Sequence, residues 1–131
     1  METIEIELFD LIANAVNASY PTCKVVNQYV RNAPSWPCVM FYEADNYAAS
    51  MDGSNHEIAT AVMYEVQVFS ASEGDNKTEA VEIMKLIDGV LSPMGFRRTS
   101  LTVAPNVEDA TIFRLVGRYS ASVQNNTIYR R

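Results

Sequence analysis

"AVMYEVQVFSASEGDNKTEAVEIMKLIDGVL", residues 61 to 91, changes its hydrophobic period from that of a strand to that of a helix across one turn-rich step. In the first part Val62, Tyr64, Val66 and Val68 point one way, and Met63, Glu65, Gln67 and Phe69 the other. In the second, from about Lys77 to Leu91, Ala80, Ile83, Met84, Ile87, Val90 and Leu91 share a helical face. Each segment has one apolar side to bury. A sheet with helices stacked on it satisfies both.

The step itself, "SASEGDNKT", places Lys77 and Thr78 at a strand-to-helix junction, where nucleotide-binding loops hold phosphate. A Walker A loop needs two glycines with four residues between them, the second directly before the lysine. Only Gly74 is present, and two residues separate it from Lys77. Glu73 and Asp75 would also repel a phosphate. The segment reads better as a turn and an N-cap, Asn76 with Glu79 in a capping box.

Working outward, Leu8, Leu11, Ile12, Ala15 and Val16 recur at spacings of three and four, which predicts a helix from Thr3, its N-cap, to about Ala18. "CKVVNQYV" (23–30) and "CVMFYEAD" (38–45) predict two strands around the Pro34 and Pro37 segment. Residues 45–60, polar and turn-rich around Asp52-Gly53, predict a projecting long loop or frayed hairpin. After "SPMGF", two more strands are predicted at about 96–103 and 111–123. The expected fold is α+β, a two-layer α/β sandwich of order α-β-β-β-α-β-β, with both helices on one face of a mostly antiparallel sheet. Residues 1–124 make the single domain, and 125–131 a C-terminal tail. On the other face Glu65, Gln67, Arg114 and Arg118 can pair across strands, with Met63, Phe69, Ile112 and Val116 among them. That face is either an ordinary mixed surface or half-covered by another chain.

The chain has 131 residues and a net charge of −6, which argues against a general nucleic-acid footprint. The charge is uneven. Residues 1–96 carry fourteen acids and four bases, whereas 97–131 carry two acids and six bases. Such a split is neutralised either within the fold or between copies. Cys23 and Cys38 read as buried thiols, with a disulfide left open. The acidic N-terminus is no signal peptide, and the longest apolar run, Cys38–Tyr42, is far too short to span a membrane. A soluble, intracellular protein is expected.

Chemistry finds little footing. His56 is the only histidine, in a loop with Asp52 and Glu57, and it reads as solvated rather than as a ligand or base. No cofactor, no metal and no catalytic residue is expected. Arg97-Arg98 and Arg130-Arg131 are two short basic pairs suited to salt bridges or an acidic neighbour.

The strings "YEVQVFS…EAVEIMKLID", "MGFRRT" (Met94–Thr99), "APNVEDATIFR" (Ala104–Arg114) and "TIYRR" (Thr127–Arg131) resemble a family of small proteins of tailed bacteriophages and prophages. These are the tail terminator, or tail completion, proteins of the head-to-tail joining region. The resemblance covers most of the chain. It implies a structural, non-enzymatic protein that forms a homo-oligomeric ring, typically a hexamer, whose copies make heterologous contacts. The ring would cap the tail-tube protein and meet a neck or head-completion protein, with DNA passing through without specific binding. The protein would be assembled in the host cytoplasm and end in the virion. Under this reading Arg97, Arg98, Arg114 or Arg118 meets acids of the adjacent copy. Tyr47, Met51 and His56 of the long loop would contact the tube or neck, and Arg130 and Arg131 end either an arm ordered against a neighbour or a frayed terminus. Two alternatives stand beside it: another neck component (head-completion adaptor or stopper), and a small cellular ligand-binding or regulatory α/β module.

Overall fold

A computed structural model describes residues 5–28, 37–51, 57–71, 76–104, 112–124 and 127–128, with the backbone path alone at 46–51, 57–60, 123–124 and 127–128. Along it run α1 (Glu5–Ser19), β1 (Lys24–Val26), β2 (Cys38–Met51), β3 (Glu57–Ser70), α2 (Asn76–Leu91), β4 (Arg97–Ala104), β5 (Phe113–Gln124) and β6 (Thr127–Ile128). The strands join in the order β1-β2-β3-β5-β4, with β6 beside the end of β5. β1 runs parallel to β2, and the other pairings are antiparallel. Both helices cover one face of this open sheet, as the sequence periods require.

The core follows from those periods. Val62, Tyr64, Val66 and Val68 of β3 are buried beneath Ala80, Ile83, Met84, Ile87 and Leu91 of α2 and Leu8, Ile12 and Val16 of α1. Burying each such branched side chain contributes about 1.5–3 kcal/mol. Tyr64 stacks on Phe41 with ring centroids 5.0 Å apart, and Phe96 meets it edge-on at 5.7 Å. Gly117 of β5 lets α2 come close: a Cβ there would lie 3.3 Å from Met84 Cε and 3.5 Å from the Tyr119 ring. At the end of α2, Gly95 takes φ 107°, and the Phe96 N–H donates to the Leu91 carbonyl at 3.2 Å. This left-handed turn returns Phe96 to the core.

Several expectations are refined. Leu11 lies outside the buried stripe of α1, 46% exposed, because a helix turns about 100° per residue and Leu8, Ile12 and Val16 already face the sheet. β1 is three residues rather than eight. Where it stops, the Asn27 amide nitrogen, turned toward β2, donates to the Phe41 carbonyl (3.1 Å) and to Glu5 Oε1 (2.8 Å), and Glu5 Oε1 accepts from Glu43 N–H (3.2 Å). Side chains thus take over the edge of β2 that a longer β1 would have paired.

Of the long loop or frayed hairpin expected at 45–60, the structure has the hairpin: β2 reaches Met51 and β3 begins at Glu57, paired to each other. The ladder slips between Glu43 and Asp45, Ala48 and Ser50, and Ser50 and Met51. These bulges accommodate a sequence poor in strand formers. Residues 52–56 lie outside the described residues. The tail at 125–131 is strand at Thr127–Ile128, paired with β5. At α2, Asn76 Oδ1 accepts from Lys77 N–H at 2.8 Å, while Glu79 accepts from Ser70 Oγ at 2.6 Å. The carboxylate expected to close a capping box satisfies the buried hydroxyl that ends β3.

Candidate functional site

The alternation of β2, β3 and β5 sends Tyr42, Glu65, Gln67, Arg114 and Arg118 to the face opposite the helices, where their registers bring them together. Arg114 Nε donates to Gln67 Oε1 at 2.9 Å, and Gln67 Nε2 donates to the Tyr42 hydroxyl at 2.8 Å and to Glu65 Oε2 at 3.3 Å. The Tyr42 hydroxyl donates to Glu65 Oε2, and Arg118 Nε pairs with Glu65 Oε1 at 3.2 Å. Arg114 also lies over the Phe69 ring, 5.6 Å from its centroid. Next to this network Cys38, Met40, Phe69 and Ile112 form a second buried cluster. The cross-strand pairing expected on this face is present.

The network fixes its own ionisation. Burial opposes the charged form of Glu65, but hydrogen bonds from Tyr42, Gln67 and Arg118 outweigh it and hold its pKa below the ordinary value. Burial and the neighbouring Glu65 push the Tyr42 phenol up to about 12. At neutral pH a carboxylate and a neutral phenol are therefore locked together. Neither group is tuned to exchange protons there.

β4 holds the other predicted arginines. Arg98 points to the helix side, where its Nη1 lies 3.7 Å from Asp88 Oδ1, the oxygen that also accepts from the Tyr119 hydroxyl at 2.8 Å. Arg97 sits opposite Ser120 and is exposed. The ion pairs Arg98–Asp88 and Arg118–Glu65 join the basic last part of the chain to its acidic first part, so some of the charge split is neutralised within the fold. The rest of β4 was not singled out from the sequence. Leu101 and Val103 share the helix-side face of the sheet, opposite Gly117 and Leu115, yet are 41% and 61% exposed. α2 lies over β3 and β5 and stops short of them. Their signal is visible only once sheet order is known.

Tyr47 and Met51 lie on the far half of β2, past the three residues that β1 pairs. His56, Arg130 and Arg131 lie outside the described residues.

The cysteines are free. Cys38 pairs in register with Lys24, so Cys23, one residue earlier, belongs to the opposite face: it packs in the helix-side core and Cys38 in the other cluster. Burial raises the Cys23 thiol to about 12, helped by Cys38, and burial raises the Cys38 thiol to about 11. Both are poor nucleophiles. Among the described residues no group of three or more His, Cys, Asp or Glu could hold a metal ion, and no helix is long and apolar enough to cross a membrane.

Comparison with known proteins supplies the family. Among solved structures, the chain is similar to the sheath/tube terminator of PVC, an extracellular contractile injection system, in its extended state. The identity is 14% and the TM-score 0.36, covering 98% of this chain and 59% of that one. The chain thus spans well under two thirds of that terminator's length. No individually curated protein matches. The family model for "Tail completion protein gp17" matches residues 9–130, nearly the whole chain. The chain belongs to this family of phage tail completion proteins, whose members are structural components and not enzymes.

Proposed function

We propose that the protein is a ring-forming tail terminator: copies, six in number, close into a ring that seats on the last ring of the tail tube, stops its growth and joins it to the neck of the head. Membership of the tail completion family carries this reading. Among the described residues no strand lines the outer side of β1 or of β4, which suits this reading, since identical subunits with two different open margins associate head to tail and stop only when the ring closes. The net charge of −6 suits a conduit through which DNA passes without being held.

The β2–β3 hairpin is the proposed contact with tube or neck, through Tyr47, Met51 and His56. Its far half extends beyond the three residues that β1 pairs, which suits a contact with a neighbour. Arg130 and Arg131 are proposed to follow β6 onto an adjacent subunit. The deciding experiment is electron microscopy of tail tubes assembled with and without the protein. Added protein should appear at one tube end and halt elongation; tubes that grow equally long with bare ends would refute the reading. Replacing residues 52–56 by a two-residue Asn-Gly turn should leave the fold intact, by thermal melting, while tails no longer complete. Normal completion by that variant would remove the hairpin from the contact.

A further inference from the structure

We infer that the subunit contact is made by the β4 margin of one copy against an exposed stripe of α1 on the next copy. This rests on the ring reading above and names the surfaces that would build it. β4 is an edge strand, and the described residues place no strand along its outer side. Its Leu101 and Val103 project into the layer the helices occupy, beyond the reach of α2, and stay largely exposed. An open edge carrying exposed apolar side chains is a template for association unless something blunts it. Arg97, Arg98 and the register slip after Arg98 blunt only the first half of β4.

The opposite margin of the molecule carries a surface that fits. Glu7, Leu11, Asn14 and Ala18 fall at spacings of four, three and four, so they line one side of α1, and all four are exposed. That side looks away from α2. The other flank packs Phe9 on the core, and Tyr20, just past the helix, reaches Glu82 of α2 through its hydroxyl. Leu11 is the one bulky apolar member of the stripe. Asn14 brings an amide that both donates and accepts, which suits the unpaired backbone of an edge strand, and the small Ala18 leaves room for that strand to approach.

Charge selects the pairing. α1 carries Glu5, Glu7 and Asp10 with no base, and β4 carries Arg97 and Arg98 with no acid. Glu5 is already occupied at the β2 edge and Arg98 lies 3.7 Å from Asp88 of its own subunit, which leaves Glu7 and Asp10, both exposed, to meet Arg97. β4 against β4, or α1 against α1, would bring no opposite charges together. The surfaces therefore favour a heterologous over an isologous contact, and a heterologous contact is what a closed ring requires.

Cysteine pairing tests it. A single chain carrying both Leu11→Cys and Val103→Cys should give a ladder of disulfide-linked oligomers on mild oxidation, while either substitution alone gives no species larger than a dimer. Val103→Asp, at an exposed position, should melt normally yet associate at least about tenfold more weakly by mass photometry and light scattering. Oligomers of unchanged mass in Val103→Asp, or oligomers without a ladder in the double variant, would overturn the interface and leave the ring reading standing. Protein that stays monomeric at every concentration overturns the interface too. Tube-end microscopy then decides the ring reading separately.

Discussion

Tyr42→Phe removes a single oxygen from the open-face network. That oxygen donates to Glu65 Oε2 and accepts from Gln67 Nε2 at 2.8 Å. Gln67 is 3% exposed, so its amide has little water to turn to, and its remaining contact with Glu65 is longer, at 3.3 Å. Glu65 keeps Arg118 at 3.2 Å and is not stranded. The cost should therefore match the loss of one bond to a charged group and the weakening of a buried amide, about 2 kcal/mol, rather than the larger penalty of an orphaned buried charge. In urea the midpoint should fall with an unchanged slope, and melting should drop by roughly 5–10 °C for a domain of this size.

The pH dependence makes the test specific. Glu65 has a depressed folded pKa, so its stabilisation is complete above the ordinary carboxylate value of 4.5 and is lost as pH falls through the lower folded pKa. Tyr42 has a raised folded pKa of about 12, so its contribution is complete below its ordinary value of 10.0 and is lost as pH rises through about 12. The gap between wild type and Tyr42→Phe should be widest between these limits and narrow on both sides. A gap under about 0.5 kcal/mol at pH 7, or one that does not change down to pH 3, would refute the account of the network.

Other substitutions probe the helix side. Gly117→Ala should change stability by less than about 1 kcal/mol, since the Met84 thioether end can yield, whereas Gly117→Val should cost about 1–3 kcal/mol, read by urea unfolding. Tyr119→Phe should cost about 1 kcal/mol in the same assay, because the bond it removes ends on the partly exposed Asp88. Both thiols should react with a thiol reagent at pH 8 only after unfolding, and oxidation of the native protein should yield no Cys23–Cys38 disulfide.

Where periodicity was strong, the fold was legible. Alternation in Val62–Phe69 and the stripe from Ala80 to Leu91 predicted the two central elements and the face on which they meet. The same alternation predicted that Glu65, Gln67, Arg114 and Arg118 would pair. What failed to show is what depends on partners distant in sequence. The strand character of Asp45–Met51 comes from β3, which is itself held by β5, and not from residues such as Ala48, Ala49 and Ser50. The shortness of β1 comes from Asn27 and Glu5 occupying the edge of β2. Leu101 and Val103 read as ordinary strand residues until the sheet order places them past the edge of α2.

That contrast bears on how such a small chain could build an assembly. On the open face, arginines and carboxylates are spent on one another and Gln67 is shut away, so a neighbour docking flat on this face would have to compete with bonds already made. The lateral margins differ. Among the described residues β4 has no strand on its outer side and carries two exposed apolar side chains, and α1 offers Leu11 beside two acids. Burial of Leu101, Val103 and Leu11 replaces water contacts without breaking any bond within the subunit, so the gain of about 25 cal/mol per Å² is not offset by lost internal pairing. Growth sideways is the direction in which this fold loses least by associating.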